Sequence, residues 1–170
     1  MSLPHHRLAE AADQLTEQLV RLGTPEHAAW DRDYLRSDFT HLGVPAVHGA
    51  GAITLQHKGT AGTVLDRWAI DQDFWLRRSA LLALLPGIRA DAADLKRLSR
   101  YADAMLEEPE FFIRKAIGWV LRETIRSDHQ FVTTWLESRI DRISGLTLRE
   151  AVRRLHDTDR TRLTNPRPLA

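Results

Sequence analysis

The sequence predicts an all-α fold, and three observations carry that reading. Apolar residues recur at helical spacing through most of the chain. No stretch alternates with period 2 in the way a half-buried strand requires. A short motif also returns twice in the second half. Leu76-Arg77-Arg78-Ser79-Ala80 aligns with Ile113-Arg114-Lys115-Ala116-Ile117 at an offset of 37, and that with Leu148-Arg149-Glu150-Ala151-Val152 at an offset of 35.

The elements follow in order. Leu8, Ala12, Leu15, Leu19 and Leu22 mark an amphipathic helix from about Pro4 to Leu22, stopped by Gly23. Thr24-Pro25 then reads as an N-cap with proline at the first helical position, opening a helix to about Ser37. Residues 43–62 hold five Gly, one Pro and a single charge, and read as a Gly-rich connector. From Thr63 the pattern is helical, beginning with a short helix over Val64–Ala69. Asp73 is placed to cap Phe74 to Leu85, which Pro86-Gly87 ends. Asp91 is placed to cap a helix to about Leu106, with Leu95, Leu98, Ala102 and Met105 on one side. Pro109 opens the Phe111 helix; Ser127 with Gln130 and Thr147 with Glu150 fit capping boxes. Residues 159–170 read as an irregular tail, and the whole of 1–170 as one helical repeat domain. Each copy of the repeated motif falls on the second helix of a helix–turn–helix pair. Two helices per period in the upper thirties predict a HEAT-like α-solenoid of antiparallel helix pairs, with the second helices lining a concavity.

The chain has 170 residues, enough for one domain with a core. It contains no Cys, which excludes disulfides, thiolate metal sites and Cys nucleophiles, and fits a reducing cytoplasm. The eight His are scattered without ligand spacing, so no metal is expected. Gly49, Gly51 and Gly59 are not set between a strand and a helix, so no phosphate-binding loop is expected. No apolar run is long enough to span a membrane, and the N-terminus lacks the apolar centre of a signal peptide.

The net charge of +1 conceals an asymmetry. Residues 1–74 carry 6 Lys+Arg against 10 Asp+Glu, whereas residues 75–170 carry 18 against 13, and 16 of those 18 are Arg. A basic half, rich in the side chain that grips phosphate bidentately, suits an anionic partner; an Arg-rich composition by chance would look the same.

The run Phe111–Glu123 has two faces. Ile113, Ala116, Ile117, Val120, Leu121 and Thr124 form a core stripe. Lys115, Trp119, Arg122 and Arg126 lie at i, i+4, i+7 and i+11 on another side. Cations flanking an indole suit a polyanion with stackable bases. The competing reading is a solvated basic face with a tryptophan packed on a neighbouring helix. Trp30, Trp68 and Trp135 read as packing residues, and Glu107-Glu108-Pro109-Glu110 as a helix terminus rather than an acid–base pair.

Phe111-Phe112-Ile113-Arg114-Lys115-Ala116-Ile117-Gly118-Trp119-Val120-Leu121-Arg122-Glu123 and Trp75-Leu76-Arg77-Arg78-Ser79-Ala80 resemble the signatures of the AlkD-like DNA alkylation repair proteins. The resemblance covers roughly Val64 to Leu155. A weaker one covers Tyr34 to Pro45. It implies a HEAT-like solenoid holding duplex DNA by its phosphate backbone in a basic groove. It also implies a monofunctional glycosylase, without metal or cofactor, acting on N3- or N7-alkylated purines. By the same resemblance Arg78 and Trp119 face the lesion, Arg78 on the backbone and Trp119 on the exposed nucleotide. The family's catalytic Asp, four residues after a Trp, has no counterpart here. The region where it would lie, 43–62, contains no Trp, Asp or Glu. Asp66, Asp71 and Asp73 lie nearby, and Asp71 and Asp73 are weak candidates to replace it. The rivals are a DNA-binding relative without excision and a protein–protein adaptor. A shortened solenoid would also expose an apolar face, coverable by a homodimer or by Ala50, Ile53 and Leu55 of the connector.

Overall fold

A computed structural model describes residues 61–165, together with Arg21, Thr24–Glu26, Ala28 and Ala29. The protein is all-α, with no strand among the described residues. The helices are α1 Ala61–Trp68, α2 Phe74–Leu82, α3 Leu85–Arg89, α4 Leu95–Ala104 and α5 Phe111–Thr124. They continue with α6 His129–Glu137, α7 Gly145–Ala151, a 3₁₀ turn Val152–Arg154, and α8 Asp157–Thr164. Among the described residues no helix is long and apolar enough to cross a membrane.

Local chemistry accounts for the boundaries, with several differences from the sequence reading. Asp73 does cap α2: its side chain accepts the Trp75 amide at 2.8 Å. That helix ends at Leu82 rather than Leu85, and Pro86 does not terminate it. Instead Pro86 sits in the first turn of α3, where its missing N–H costs nothing. The cap of α4 is Asp94, accepting the Arg97 amide at 2.9 Å, not Asp91. Asp91 occupies the turn with φ of 53°, a left-handed conformation that Asp tolerates better than most residues. Asp128, not Ser127, caps α6 through the Phe131 amide at 2.8 Å. Ser127 donates back to the Thr124 carbonyl of the preceding helix. Ser144, not Thr147, caps α7, and Thr147 is buried inside it. The segment expected to be an irregular tail begins within α8. Acidic Asp157 and Asp159 favour that helix's positive N-terminus, Arg160 and Arg162 reach back to them at i+3, and Leu163 is buried.

Apart from Arg21, Thr24–Glu26, Ala28 and Ala29, the helices on 4–22 and to Ser37 lie outside the described residues, as do residues 43–60 of the connector and Trp30, while Ala61 and Gly62 already belong to α1. At the described positions Pro25, Glu26, Ala28 and Ala29 are helical, and the Ala28 amide donates to the Thr24 carbonyl at 3.0 Å.

Helices from successive pairs form two rows. α1, α4 and α6 are tied by polar bonds: Asp66 accepts Arg97 Nε at 3.1 Å and the Tyr101 hydroxyl at 2.6 Å. Further along, Trp135 Nε1 donates to Ser99 at 3.0 Å and Arg139 Nη2 to Asp103 at 2.8 Å. The other row is α2, α5 and α7, with α5 packed between its neighbours. The core stripe of α5 — Ile113, Ala116, Ile117, Val120, Leu121 and Thr124 — is buried throughout. Gly118 is where α5 crosses α7: a Cβ there would stand 2.5 Å from Glu150 Cβ and 2.8 Å from the Thr147 carbonyl oxygen. Glycine is required by that approach, whatever else the motif does.

Candidate nucleic-acid interface

Two cation dyads, Arg77-Arg78 on α2 and Arg114-Lys115 on α5, occupy matching positions in consecutive units. Their first members face the joint between the units. Arg77 forms a forked pair with Glu108, Nε to Oε1 at 2.9 Å and Nη2 to Oε2 at 2.6 Å. The same guanidinium donates from Nη1 to the Asp71 and Gln72 carbonyls at 2.6 and 2.8 Å. Its pKa is raised, chiefly by the hydrogen bond to Glu108 and against the effect of burial. Arg114 Nε donates to the Glu108 backbone carbonyl at 2.7 Å. Glu108 is therefore gripped twice, once from each unit, and its carboxylate is a structural clamp.

The second members meet aromatic rings. The Arg78 guanidinium carbon lies 5.8 Å from the Trp75 ring centroid and 6.0 Å from that of Phe112. Those two rings are 5.2 Å apart, and Phe74 and Phe111 extend the cluster at 4.4 and 5.2 Å. Arg78 is thus braced by one ring from its own unit and one from the next. Lys115 Nζ lies 5.7 Å from the Phe111 ring, which is 51% exposed. Such contacts hold a cation without neutralising it, each worth about 0.5–1 kcal/mol near a surface.

Farther along α5, Trp119 is half-buried, with part of its ring packed against the core. Arg122 is bonded to Glu150 on α7 at 2.7 Å and is only 19% exposed, so it serves the α5–α7 contact. Arg126 is exposed and forms no ion pair among the described residues. The predicted stripe is therefore the less buried side of α5, but its members differ in what they touch. Of the other tryptophans, Trp135 is buried and Trp68 packs against the core, as expected of packing residues.

The nearby carboxylates are occupied. Asp66 accepts from Arg97, Arg100 and Tyr101. Burial acts to raise its pKa, but the Arg97 and Tyr101 hydrogen bonds and the two guanidinium charges bring it below the ordinary value. Burial first, then the bond to Asp66, pushes the Tyr101 phenol well above its ordinary value. Asp71 accepts the Asp73 amide at 2.9 Å, and Asp73 caps α2. Both weak catalytic candidates thus hold the α1–α2 turn. Among the described residues no cluster of three or more acidic or His side chains could hold a metal ion.

Sequence reasoning passed over Trp75 and Phe112 as site residues. The signal was present: an aromatic pair, Phe74-Trp75 and Phe111-Phe112, precedes each dyad at the repeat offset of 37.

The profile of a family described as DNA alkylation repair enzyme matches residues 45–155, more than half of the chain. The chain belongs to this family. The match spans both dyads, the aromatic cluster and the close crossing at Gly118, so the family's helical frame contains the whole described interface. No curated protein matches the chain closely enough to count as a relative.

Proposed function

We propose that the chain acts in DNA alkylation repair as a monofunctional glycosylase, releasing N3- or N7-alkylated purines from duplex DNA held on a HEAT-like stack. The observation that carries this reading is Arg78, charged and braced between Trp75 and Phe112 of consecutive units. Arg78 and Lys115 take backbone phosphates, and Trp119 packs against the exposed nucleotide. Arg126 extends the contact at the far end of α5. An alkylated purine already carries positive charge. Cleavage of its glycosidic bond sends the bonding pair into the departing base, which leaves neutral, and water adds to the sugar carbon and loses a proton. The protein's task is to shelter a cationic sugar and admit one water.

A second reading is favoured by a specific observation: Asp66, Asp71 and Asp73 are each committed to structural bonds, and residues 43–62 contain no acid. On that reading the chain binds alkylated duplex DNA without excising the base. One assay separates the two. Duplexes carrying 7-methylguanine are bound, with affinity falling steeply in salt, under both readings. Chromatographic release of free 7-methylguanine occurs only under the first. Arg78→Ala lowers affinity with folding unchanged; equal affinity in that variant, or no duplex binding by the parent, points instead to a protein–protein adaptor.

A further inference from the structure

Beyond the aromatic cluster, the C-terminal ends of α5 and α7 carry a second concentration of Arg. Two carboxylates that are almost covered organise it. Glu123, with 8% of its side chain exposed, is 2.9 Å from Arg154 and 3.6 Å from Arg89. Glu150, with 13% exposed, is 2.7 Å from Arg122 and 3.3 Å from Arg153. Each carboxylate therefore holds two guanidiniums drawn from different elements: α3 and the 3₁₀ turn at Glu123, α5 and the 3₁₀ turn at Glu150. One negative charge cannot neutralise two positive ones, so each group keeps a net positive charge. Its outer members are on the surface: side-chain exposure is 41% for Arg89, 45% for Arg154 and 63% for Arg153. Arg126, two residues past the end of α5, and Arg149 on α7 are also exposed, with no ion pair among the described residues.

The arrangement is the reverse of an ordinary surface ion pair, where charges cancel one to one and little net field remains. Here the acid is covered and the excess base is outside. Arg122 and Glu123 lie at i+3 and i+4 from Trp119, so the group starts one helical turn beyond that indole on the same side of α5. From Lys115 to Thr124, the last residue of α5, is nine residues, about 13 Å along the axis. That length matches about four base-pair steps at 3.4 Å per step.

We infer that Arg89, Arg153 and Arg154, positioned by Glu123 and Glu150, together with the exposed Arg149 of α7, form a second phosphate-binding platform for the DNA backbone flanking the lesion. The inference rests on the reading that the chain binds duplex DNA, and names residues that reading does not need. Glu123 and Glu150 are positioning residues: they fix the guanidiniums and do not touch DNA.

The test is the salt dependence of binding to an unmodified duplex, read by fluorescence anisotropy on the full chain. Arg149→Ala with Arg153→Ala removes two exposed charges and makes the log–log slope shallower by about 2. Arg142→Ala with Arg160→Ala removes the same charge from side chains paired to Glu107 and Asp157, and leaves the slope unchanged. Equal slopes in the two double variants would overturn the platform. An absence of binding by the parent chain would overturn the DNA reading itself, so the two failures are distinct. Should the alanine pair unfold, the Gln pair at the same positions removes the same charges and keeps the stems. The positioning role is tested by Glu150→Gln, which makes the protein more positive. Affinity falls several-fold despite the added charge if the carboxylate orders Arg122 and Arg153; a rise, or no change, refutes the role.

Discussion

The two rows of helices are held together by different physics. Along α1, α4 and α6 the units are joined by side-chain polar bonds: Asp66 to Arg97 and Tyr101, Ser99 to Trp135, Asp103 to Arg139. Along α2, α5 and α7 they are joined chiefly by packing, with α5 buried along one stripe and drawn against α7 at Gly118, and the Arg77–Glu108 and Arg122–Glu150 pairs only add to it. Polar ladders near a surface are weak and are screened by salt. Packed apolar surface is neither. The row that carries Arg78, Lys115 and Trp119 is the packed one. Its shape therefore rests mainly on apolar burial rather than on the charges it presents.

The largest effect on this contrast comes from adding a single methyl group. Gly118→Ala places a Cβ 2.5 Å from Glu150 Cβ and 2.8 Å from a backbone oxygen, and neither neighbour is the free end of a side chain. α5 and α7 must separate, at a cost of about 3 kcal/mol. Denaturant unfolding measures it. A loss below about 1 kcal/mol would mean that the second row is looser than described.

Trp119→Ala comes next. A fully buried tryptophan costs about 3–5 kcal/mol when truncated. Trp119 is only half-buried, so about 2 kcal/mol is expected, together with a drop of roughly tenfold or more in duplex affinity if a base stacks on it. A full core penalty with unchanged DNA binding would return this residue to packing alone.

The contrast between the rows also explains what the sequence could reveal. The stripe of Ile113, Ala116, Ile117, Val120 and Leu121 was legible because apolar burial imposes a local period. The helix caps were less legible. Asp94, Asp128 and Ser144 each stand close to another plausible cap, and the difference lies in which side chain reaches the amide three residues on. Long-range polar partners left no local trace. Nothing near Arg122 announces Glu150, 28 residues away, and nothing near Arg77 announces Glu108. The stripe of Lys115, Trp119, Arg122 and Arg126 was visible as spacing, but its division into tethered and exposed members depends on a neighbouring helix. The brace around Arg78 depends on the second unit in the same way.

Tyr101→Phe probes the polar row where it is best buried. The hydroxyl donates to Asp66 at 2.6 Å; the bond is part-buried and the carboxylate partly solvated, so its loss costs about 1 kcal/mol net. Two pH windows follow. Asp66 titrates lower in the folded protein than its ordinary 3.8. Its contribution is thus present above that pH and lost as pH falls through the folded value. Tyr101 titrates higher than its ordinary 10.0, so its contribution is present below pH 10 and declines above it. Thermal melts of the parent chain should fall off on both sides. Tyr101→Phe should flatten the alkaline limb attributable to this phenol; an unchanged limb would place that loss elsewhere.

The smallest effect tests the screening argument itself. Arg142 bonds Glu107 at 2.7 Å, with side chains 55% and 66% exposed. The short distance alone would suggest a strong tie between consecutive units. Exposure argues otherwise: both groups keep most of their hydration, two long side chains lose rotamer freedom to meet, and added salt weakens what remains. Arg142→Ala should cost less than about 0.5 kcal/mol at physiological ionic strength. A double-mutant cycle with Glu107→Ala isolates the pair from the solvation of either partner. A coupling that stays above about 1 kcal/mol in high salt would show that the polar row is held as firmly as the packed one. The contrast between the two rows would then fail.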